Sequence, residues 1–96
     1  MIKHVVLFKF KADATSAQRK AAIDGLHPLP QHIQEIRGWI VGEDVLHSER
    51  SYDIALLADF DDLAALQRYQ VHPEHQAAAQ ALVAISEKVA VVDYQY

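Results

Sequence analysis

Residues 2–10 decide the fold, and they read Ile2-Lys3-His4-Val5-Val6-Leu7-Phe8-Lys9-Phe10. The run is rich in β-branched and aromatic residues and contains neither glycine nor proline, which predicts a β-strand. Successive residues of a strand point to opposite faces of its sheet. His4, Val6 and Phe8 therefore share one face, while the other face carries Val5 and Leu7 between lysines. The middle of this strand is apolar on both faces.

The rest of the chain is predicted to form three more strands and two helical regions. Strands are expected from Trp39 to about Leu46, over Tyr52–Phe60 and over Val89–Tyr94. The first helical region opens with the capping box Thr15-Ser16-Ala17-Gln18, is interrupted at Pro28 and Pro30, and resumes around His32–Ile36. The second is capped by Asp61 or Asp62, restarts at His72-Pro73, and runs from Glu74 to about Lys88.

The predicted order is strand, helix, strand, strand, helix pair, strand. With right-handed crossovers, this order predicts a ferredoxin-like βαββαβ sandwich of the α+β class, in which helices cover one face of an antiparallel four-stranded sheet. A chain of 96 residues has room for one core, so we expect a single domain over residues 1–96.

The other strands of the predicted sheet are also apolar on both faces. The third strand, for example, places Leu56 and Ala58 on one face and Ala55 and Leu57 on the other. Helices of one chain cover one face only, and burying ~500 Å² of the other contributes on the order of 12 kcal/mol before the costs of association. We therefore predict a homodimer through the open sheet face. The alternative is that alanines and a tucked C-terminal tail cover this face within one chain.

Composition excludes several classes of protein. The chain has no cysteine, so it forms no disulfide, thiolate zinc site or cysteine nucleophile. Its formal net charge of −4 argues against a nucleic-acid partner. No apolar run approaches the ~20 residues of a membrane span, and the N-terminus lacks the apolar segment of a signal peptide. We expect a cytoplasmic protein without membrane association.

The chain has six histidines, and His75 is the strongest candidate for a functional one. It precedes Ala78 and Ala79 at helical spacing, which places it on the apolar side of its helix. Pro73 at the first helical position puts His75 in the first turn, where the helix dipole favours a neutral imidazole. A neutral, partly desolvated imidazole suits a general base. The alternative is a structural histidine that holds a helix–helix corner by hydrogen bonds.

Neighbouring residues have mainly structural interpretations. Tyr69 is predicted to be a buried aromatic whose hydroxyl seeks a partner, with His75 available as one. His72 takes the helix-cap position, and we expect its ring to hydrogen-bond free backbone N–H groups rather than a ligand. The residues His27, His32 and His47 are predicted to be solvated.

No metal or cofactor site is expected. His72 and His75 have i, i+3 spacing, but no acidic partner stands at a diagnostic spacing from them, and the H-E-x-x-H pattern is absent. The chain also lacks a glycine-rich phosphate loop and a Ser-His-Asp ordering.

Five segments, in order and spanning nearly the whole chain, carry a resemblance to a known family. They are the run from Ile2 to Lys11, Gly42-Glu43-Asp44, Arg50-Ser51-Tyr52-Asp53, Tyr69-Gln70-Val71-His72-Pro73-Glu74-His75 and Val91-Val92-Asp93-Tyr94. Together they resemble the stress-responsive dimeric α/β-barrel (Dabb) family. The resemblance implies a ferredoxin-like protomer whose sheet joins that of a second copy in an eight-stranded barrel.

The resemblance also implies roles for individual residues. One plant branch of the family is a polyketide cyclase that closes a poly-β-keto chain by aldol condensation. There the histidine that matches His75 is the base, and the tyrosine that matches Tyr69 assists it. His4 is implied to lie close to the cavity, as a second polar wall or proton shuttle, or as a core histidine paired with a neighbouring element. The branch has a further cavity histidine where this chain has Ile54, so the pocket is expected to be more apolar.

Three functions fit these expectations. The one we favour from the sequence is a stress-related binding or structural module that holds a small apolar or carbonyl-bearing ligand, with His4, His72 and Ile54 as contacts. The second is a cyclase-like enzyme with His75 as general base and Tyr69 polarising a carbonyl. The third is a cofactor-free monooxygenase or haem-degrading relative. A continuous pocket that reaches the tyrosine hydroxyl and a ring nitrogen of the helix histidine favours an enzyme, whereas sealed rings favour the module.

Overall fold

The strand predicted over residues 2–10 lies inside a four-stranded antiparallel sheet, with a neighbouring strand on each side. In the computed structural model, which describes residues 1–96, the elements are β1 (Ile2–Phe10), α1 (Ser16–Asp24), α2 (Leu29–His32), β2 (Gly38–Glu43), β3 (Ile54–Phe60), α3 (Leu63–Gln70), α4 (Pro73–Ala84) and β4 (Ser86–Gln95). The sheet order is β2-β3-β1-β4, so each crossover skips one strand. The predicted ferredoxin-like fold is confirmed.

The core lies between the helices and one face of the sheet. Burial alternates along β1 and β3, as expected for strands with one covered face. Phe60 from β3 and Ile33 from the segment after α2 are fully enclosed, and Tyr69 from α3 is 1% exposed. These side chains hold α2 and α3 against the sheet.

The first helical region differs from the prediction at its second proline. α1 ends at Asp24, and α2 begins at Leu29 with Pro30 in its first turn. A proline is tolerated there because first-turn N–H groups have no partner within a helix. The helical piece predicted over His32–Ile36 is therefore wrong, since the helix precedes most of that segment. Ile33 takes an extended conformation that ends α2 and buries its own side chain.

The connection between β2 and β3 is longer than predicted. Both strands stop short of their predicted ends, which were Leu46 for β2 and Tyr52 for β3. The Asp44 carboxylate accepts a hydrogen bond of 2.6 Å from the backbone N–H of His47. His47 has a φ of 56°, in the left-handed region that interrupts a strand.

The last helix is shorter and the last strand longer than predicted. Glu87 and Lys88 are good helix formers, which favoured a helix to Lys88. Instead α4 ends before Ser86, whose hydroxyl donates a 2.6 Å hydrogen bond to the Leu82 carbonyl. Lys88 lies opposite Lys9, so backbone pairing with β1 decides the structure of this segment.

The predicted starts of α1, α3 and α4 are confirmed. Thr15 forms a reciprocal capping box at the start of α1. At α3, the Asp62 carboxylate accepts a 2.8 Å hydrogen bond from the backbone N–H of Ala65. At α4, the Nδ1 atom of His72 accepts a 3.1 Å hydrogen bond from the backbone N–H of Glu74. These contacts satisfy N–H groups that a helix leaves unpaired in its first turn.

The sheet face away from the helices is apolar at its centre and polar at its ends. The register places Ile40, Leu57, Val5 and Val92 in one row across the four strands, followed by Gly42, Ala55, Leu7 and Ala90 in the next row. Ile40 and Val92 are 61% and 60% exposed. β4 continues to Gln95, and the Tyr96 hydroxyl that follows it contacts Asp59, outside these two rows. We call the eight residues of these rows the open face.

Candidate active site

A cavity of about 180 Å³ lies between the sheet and α4. Of its 15 lining residues 12 are hydrophobic, and the polar ones are His4, Gln70 and His75. Val89 and Val91 line one side of the cavity while remaining 42% and 51% exposed, so it opens at the edge of β4. No lysine, arginine or carboxylate is among the lining residues. The cavity therefore suits a small, uncharged and largely apolar ligand.

Tyr69 lies at the centre of the polar part of this cavity. Its ring centroid is 4.3 Å from that of His75, 4.8 Å from that of Phe60 and 5.9 Å from that of His4. Burial raises the pKa of the Tyr69 phenol well above its usual range. The phenol therefore keeps its proton at neutral pH and acts as a hydrogen-bond donor.

His75 lies in the first turn of α4, as predicted, and is half-buried. Its Nδ1 atom is 3.0 Å from the backbone carbonyl oxygen of Gln70. A carbonyl oxygen only accepts hydrogen bonds, so in the neutral ring Nδ1 carries the hydrogen and Nε2 carries the lone pair. Burial lowers the pKa of His75, positive charge on His4 or His72 lowers it further, and the bond to Gln70 opposes them. This combination favours a neutral imidazole with a basic Nε2.

His4 is the buried polar residue of the core, at 5% exposure. The β1–β4 register places it directly opposite Asp93, and its Nδ1 atom contacts the Asp93 carboxylate. An ionised carboxylate accepts hydrogen bonds, so Nδ1 is again the nitrogen that carries the hydrogen. In both His4 and His75, the hydrogen of the neutral ring is therefore on Nδ1. The acceptor is the Asp93 carboxylate for His4 and the Gln70 carbonyl for His75.

Three polar atoms around the cavity have no hydrogen-bond partner within the protein. They are Nε2 of His4, Nε2 of His75 and the hydroxyl of Tyr69. Among the fully enclosed side-chain nitrogen and oxygen atoms, only Nε1 of Trp39 lacks a hydrogen-bond partner. The three atoms are therefore not fully enclosed. They belong to the side chains of His4, Tyr69 and His75, which line the cavity.

The structure brings three of the five predicted site residues together. His4, Tyr69 and His75 line the cavity. His72 does not line it, and its ring is occupied in capping α4. Ile54 packs in the core at 2% exposure and also lies outside the cavity lining.

Two contributors to the site were missed from the sequence. Asp93 has no spacing signal of its own, but antiparallel pairing of the first and last strands aligns it with His4. Only the register of the first and last strands could have identified Asp93, and the sequence pattern did not specify that register. Gln70 acts through its backbone carbonyl, and no residue type signals such a role.

No group of three or more histidine, aspartate or glutamate side chains is arranged to hold a metal ion. None of the four helices has the length and hydrophobicity needed to cross a membrane.

Residues 2–96 match the family model described as the stress responsive A/B barrel domain. The chain belongs to this family. The predicted membership is therefore confirmed, over essentially the full length of the chain.

Relatives of this A/B barrel protein extend the comparison. An uncharacterised protein of Streptomyces coelicolor is 31% identical in an alignment 101 residues long, which covers 100% of both chains. The olivetolic acid cyclase of Cannabis sativa is 26% identical, over 97% of this chain and 94% of the cyclase. A dimeric Bacteroides fragilis protein of unknown function and ferredoxin-like fold has a TM-score of 0.87 at 34% identity, over 99% of this chain and 95% of that one.

Proposed function

We propose that this A/B barrel protein binds a small, uncharged carbonyl compound in the cavity and moves a proton on it. The observation that carries the proposal is that His75 and Tyr69 line one cavity, and that neither Nε2 of His75 nor the hydroxyl of Tyr69 has a hydrogen-bond partner within the protein. Both groups are therefore free to bond to a ligand in an otherwise apolar pocket. The cyclase among the relatives supports carbonyl chemistry in this fold.

The two residues have complementary roles. Nε2 of His75 removes a proton from the carbon next to the carbonyl, or from a hydroxyl group of the ligand. The Tyr69 hydroxyl donates a hydrogen bond to the carbonyl oxygen, on which negative charge develops. Apolar walls strengthen this hydrogen bond because they keep water away from the oxygen.

The test is hydrogen–deuterium exchange at the carbon next to a ketone. The wild-type protein is expected to accelerate the exchange of acetophenone or 2-heptanone in D₂O, followed by ¹H NMR. His75→Ala should remain folded, and its exchange rate should be lower than that of the wild type by about 100-fold or more, the usual size of a general-base contribution. Tyr69→Phe should reduce it while keeping the ring packing.

His47→Ala is the matched control, because the ring of His47 is exposed on the β2–β3 connection. It should exchange the ketones like the wild type. If the wild type gives no more exchange than His75→Ala, yet the ketones raise its melting temperature, the cavity is a binding site without catalysis. If His75→Ala precipitates or unfolds, the histidine is structural and the proposal fails.

We further infer that the protein is a homodimer through the open face. The Bacteroides fragilis relative is dimeric, and the open face presents two apolar rows that nothing in the chain covers. An interface of standard size buries about 800 Å² per partner, a large share of one side of so small a sheet. Joining two such faces encloses these rows.

A single charge tests this interface. Leu57 lies at the centre of the open face, between Val5 and Ile40 in its row. Leu57→Glu is expected to give a folded monomer in sedimentation equilibrium. Val45→Glu is the control, since Val45 is 90% exposed in the β2–β3 connection and its variant should remain dimeric. A dimer that survives Leu57→Glu unchanged would place the interface elsewhere.

A further inference from the structure

The cavity contains two imidazoles whose orientations are set by different groups. The backbone carbonyl of Gln70 accepts from Nδ1 of His75, within the α3–α4 corner. The carboxylate of Asp93 accepts from Nδ1 of His4, across the β1–β4 ladder. The proposed reaction uses the first imidazole and gives the second no task.

We infer that Asp93 is a positioning residue that makes His4 a second proton-exchanging group of the cavity. The inference rests on the proposed function, because it assigns a second proton position in the same site. Asp93 itself does not line the cavity. It acts through His4, by determining which ring nitrogen faces the ligand.

The position of one hydrogen atom explains this role. The partner of one ring nitrogen determines which tautomer a neutral histidine adopts. With Asp93 at Nδ1, the neutral ring of His4 presents a lone pair at Nε2, and the protonated ring presents an N–H there. In both states the bond to Asp93 is kept, so Nε2 is the atom that gains and loses the proton.

The burial of His4 makes the carboxylate decisive. The side chain of His4 is 7% exposed, so few groups other than the Asp93 carboxylate can reach its Nδ1 atom. The titratable groups that face the ring are Asp93 from β4, Tyr69 from α3 and, beyond it, His75 from α4. Among these only Asp93 contacts a nitrogen of the ring.

In the proposed step, one proton moves from His4 to an oxygen atom of the ligand. The N–H bond at Nε2 of protonated His4 breaks as an O–H bond forms on the ligand oxygen, whose lone pair becomes the new bond. His4 is left neutral, with its hydrogen on Nδ1, and regains a proton from solvent. A proton that His75 removes from one ligand atom is thereby matched by one that His4 delivers to another.

The tautomer of His4 can be measured without any ligand. In ¹⁵N-labelled wild-type protein, long-range ¹H–¹⁵N spectra should show neutral His4 and His75 both with hydrogen on Nδ1. In Asp93→Asn, the new amide N–H donates to Nδ1 of His4, which should move the ring hydrogen to Nε2. His75 should be unchanged, because its partner is the Gln70 carbonyl.

Asp44→Asn is the matched control, because it removes the carboxylate of a second aspartate–histidine contact. Asp44 lies 3.6 Å from Nδ1 of His47 on an exposed loop, so the His4 signals should not move. Wild-type His4 with its hydrogen on Nε2 would overturn the inference, and this measurement needs no variant to fold. So would an Asp93→Ala protein, which has no acceptor side chain at that position, in which the ring hydrogen of neutral His4 stays on Nδ1.

Catalysis gives the second readout. Asp93→Asn should lower kcat for ketone exchange at least about tenfold with KM little changed, and Asp93→Glu should restore part of it. A tautomer change without a loss of kcat would make Asp93 merely structural and overturn the inference. If even the wild type exchanges nothing, the proposed function fails, and the tautomer of His4 still reports separately on Asp93.

Discussion

Leu56 and Leu57 are neighbours in β3, yet they belong to different environments. Leu56 points toward the helices, is 3% exposed and lines the cavity. Leu57 points to the open face, where its row runs through Val5 to the exposed edge residue Val92. The same residue type thus packs in the interior of the chain in the first case and lies on the proposed dimer surface in the second.

This difference shows where each kind of stability resides. Contacts on the helix side are complete within one copy of the chain, so they stabilise the protomer at any concentration. In the proposed dimer, contacts on the open face form only when a second copy binds, so their free energy depends on protein concentration.

The largest expected effect comes from truncating the interior leucine. Leu56→Ala should lower the free energy of unfolding by about 2–5 kcal/mol, because it leaves a cavity in a packed core. Urea unfolding should give this loss at both high and low protein concentration. Leu57→Ala is the paired variant, and its effect should shrink on dilution. Equal, concentration-independent losses would mean that the two faces do not differ.

An intermediate effect is expected from enlarging an alanine on the helix side. Ala58 is fully enclosed between Trp39 and His4 in its row. Ala58→Leu should destabilise the protein by about 1–3 kcal/mol through overpacking, as measured by thermal or urea unfolding. Ala55→Leu on the open face should leave the protomer nearly unchanged and alter only the dissociation constant of the dimer. A neutral Ala58→Leu would show that the interior has spare volume there.

The smallest expected effect is a difference between the two faces of the sheet in how the free energy of unfolding depends on pH. Burial lowers the pKa of His75 below its usual 6.5, so the unfolded chain binds this proton at a higher pH than the folded protein. The free energy of unfolding should therefore decrease as pH falls below 6.5. On the other side of the sheet, a hydrogen bond from Lys3 holds the pKa of Asp59 below 3.8, so its stabilisation is lost only in stronger acid.

Urea unfolding between pH 4.5 and pH 7 measures this slope. His75→Ala should flatten it, whereas His47→Ala, on an exposed loop, should not. A wild-type stability that rises as pH falls through this range would contradict the burial of a neutral imidazole. The same property places the acid limb of the ketone-exchange profile below pH 6.5.

The fold was predictable because its signals are local and repeated. Three such signals each specify an element without reference to the rest of the chain. They are the run of β-branched and aromatic residues in β1, the capping box at Thr15 and the proline at the start of α4. The error at the end of α4 fell where strand pairing overrides helix propensity. Glu87 and Lys88 favour a helix by composition, and pairing with β1 makes them strand.

The candidate site was predictable only in part, for a related reason. His75 and Tyr69 lie on amphipathic helices, whose periodicity indicates which side chains face inward. Asp93 reaches its partner through strand register, which depends on the whole sheet. The contribution of Gln70 is a carbonyl oxygen, and every residue type has one.

β4 belongs to the interior and the open face at once, and it is bonded to a neighbour on one side only. Its Asp93 aims the ring of His4, while Val92 on its reverse side belongs to the open face. In the proposed dimer, a second copy bound there would support β4 from its open side, so each subunit would stabilise the proposed site of the other. Turnover per subunit would then decline in very dilute solution well before the helices melt.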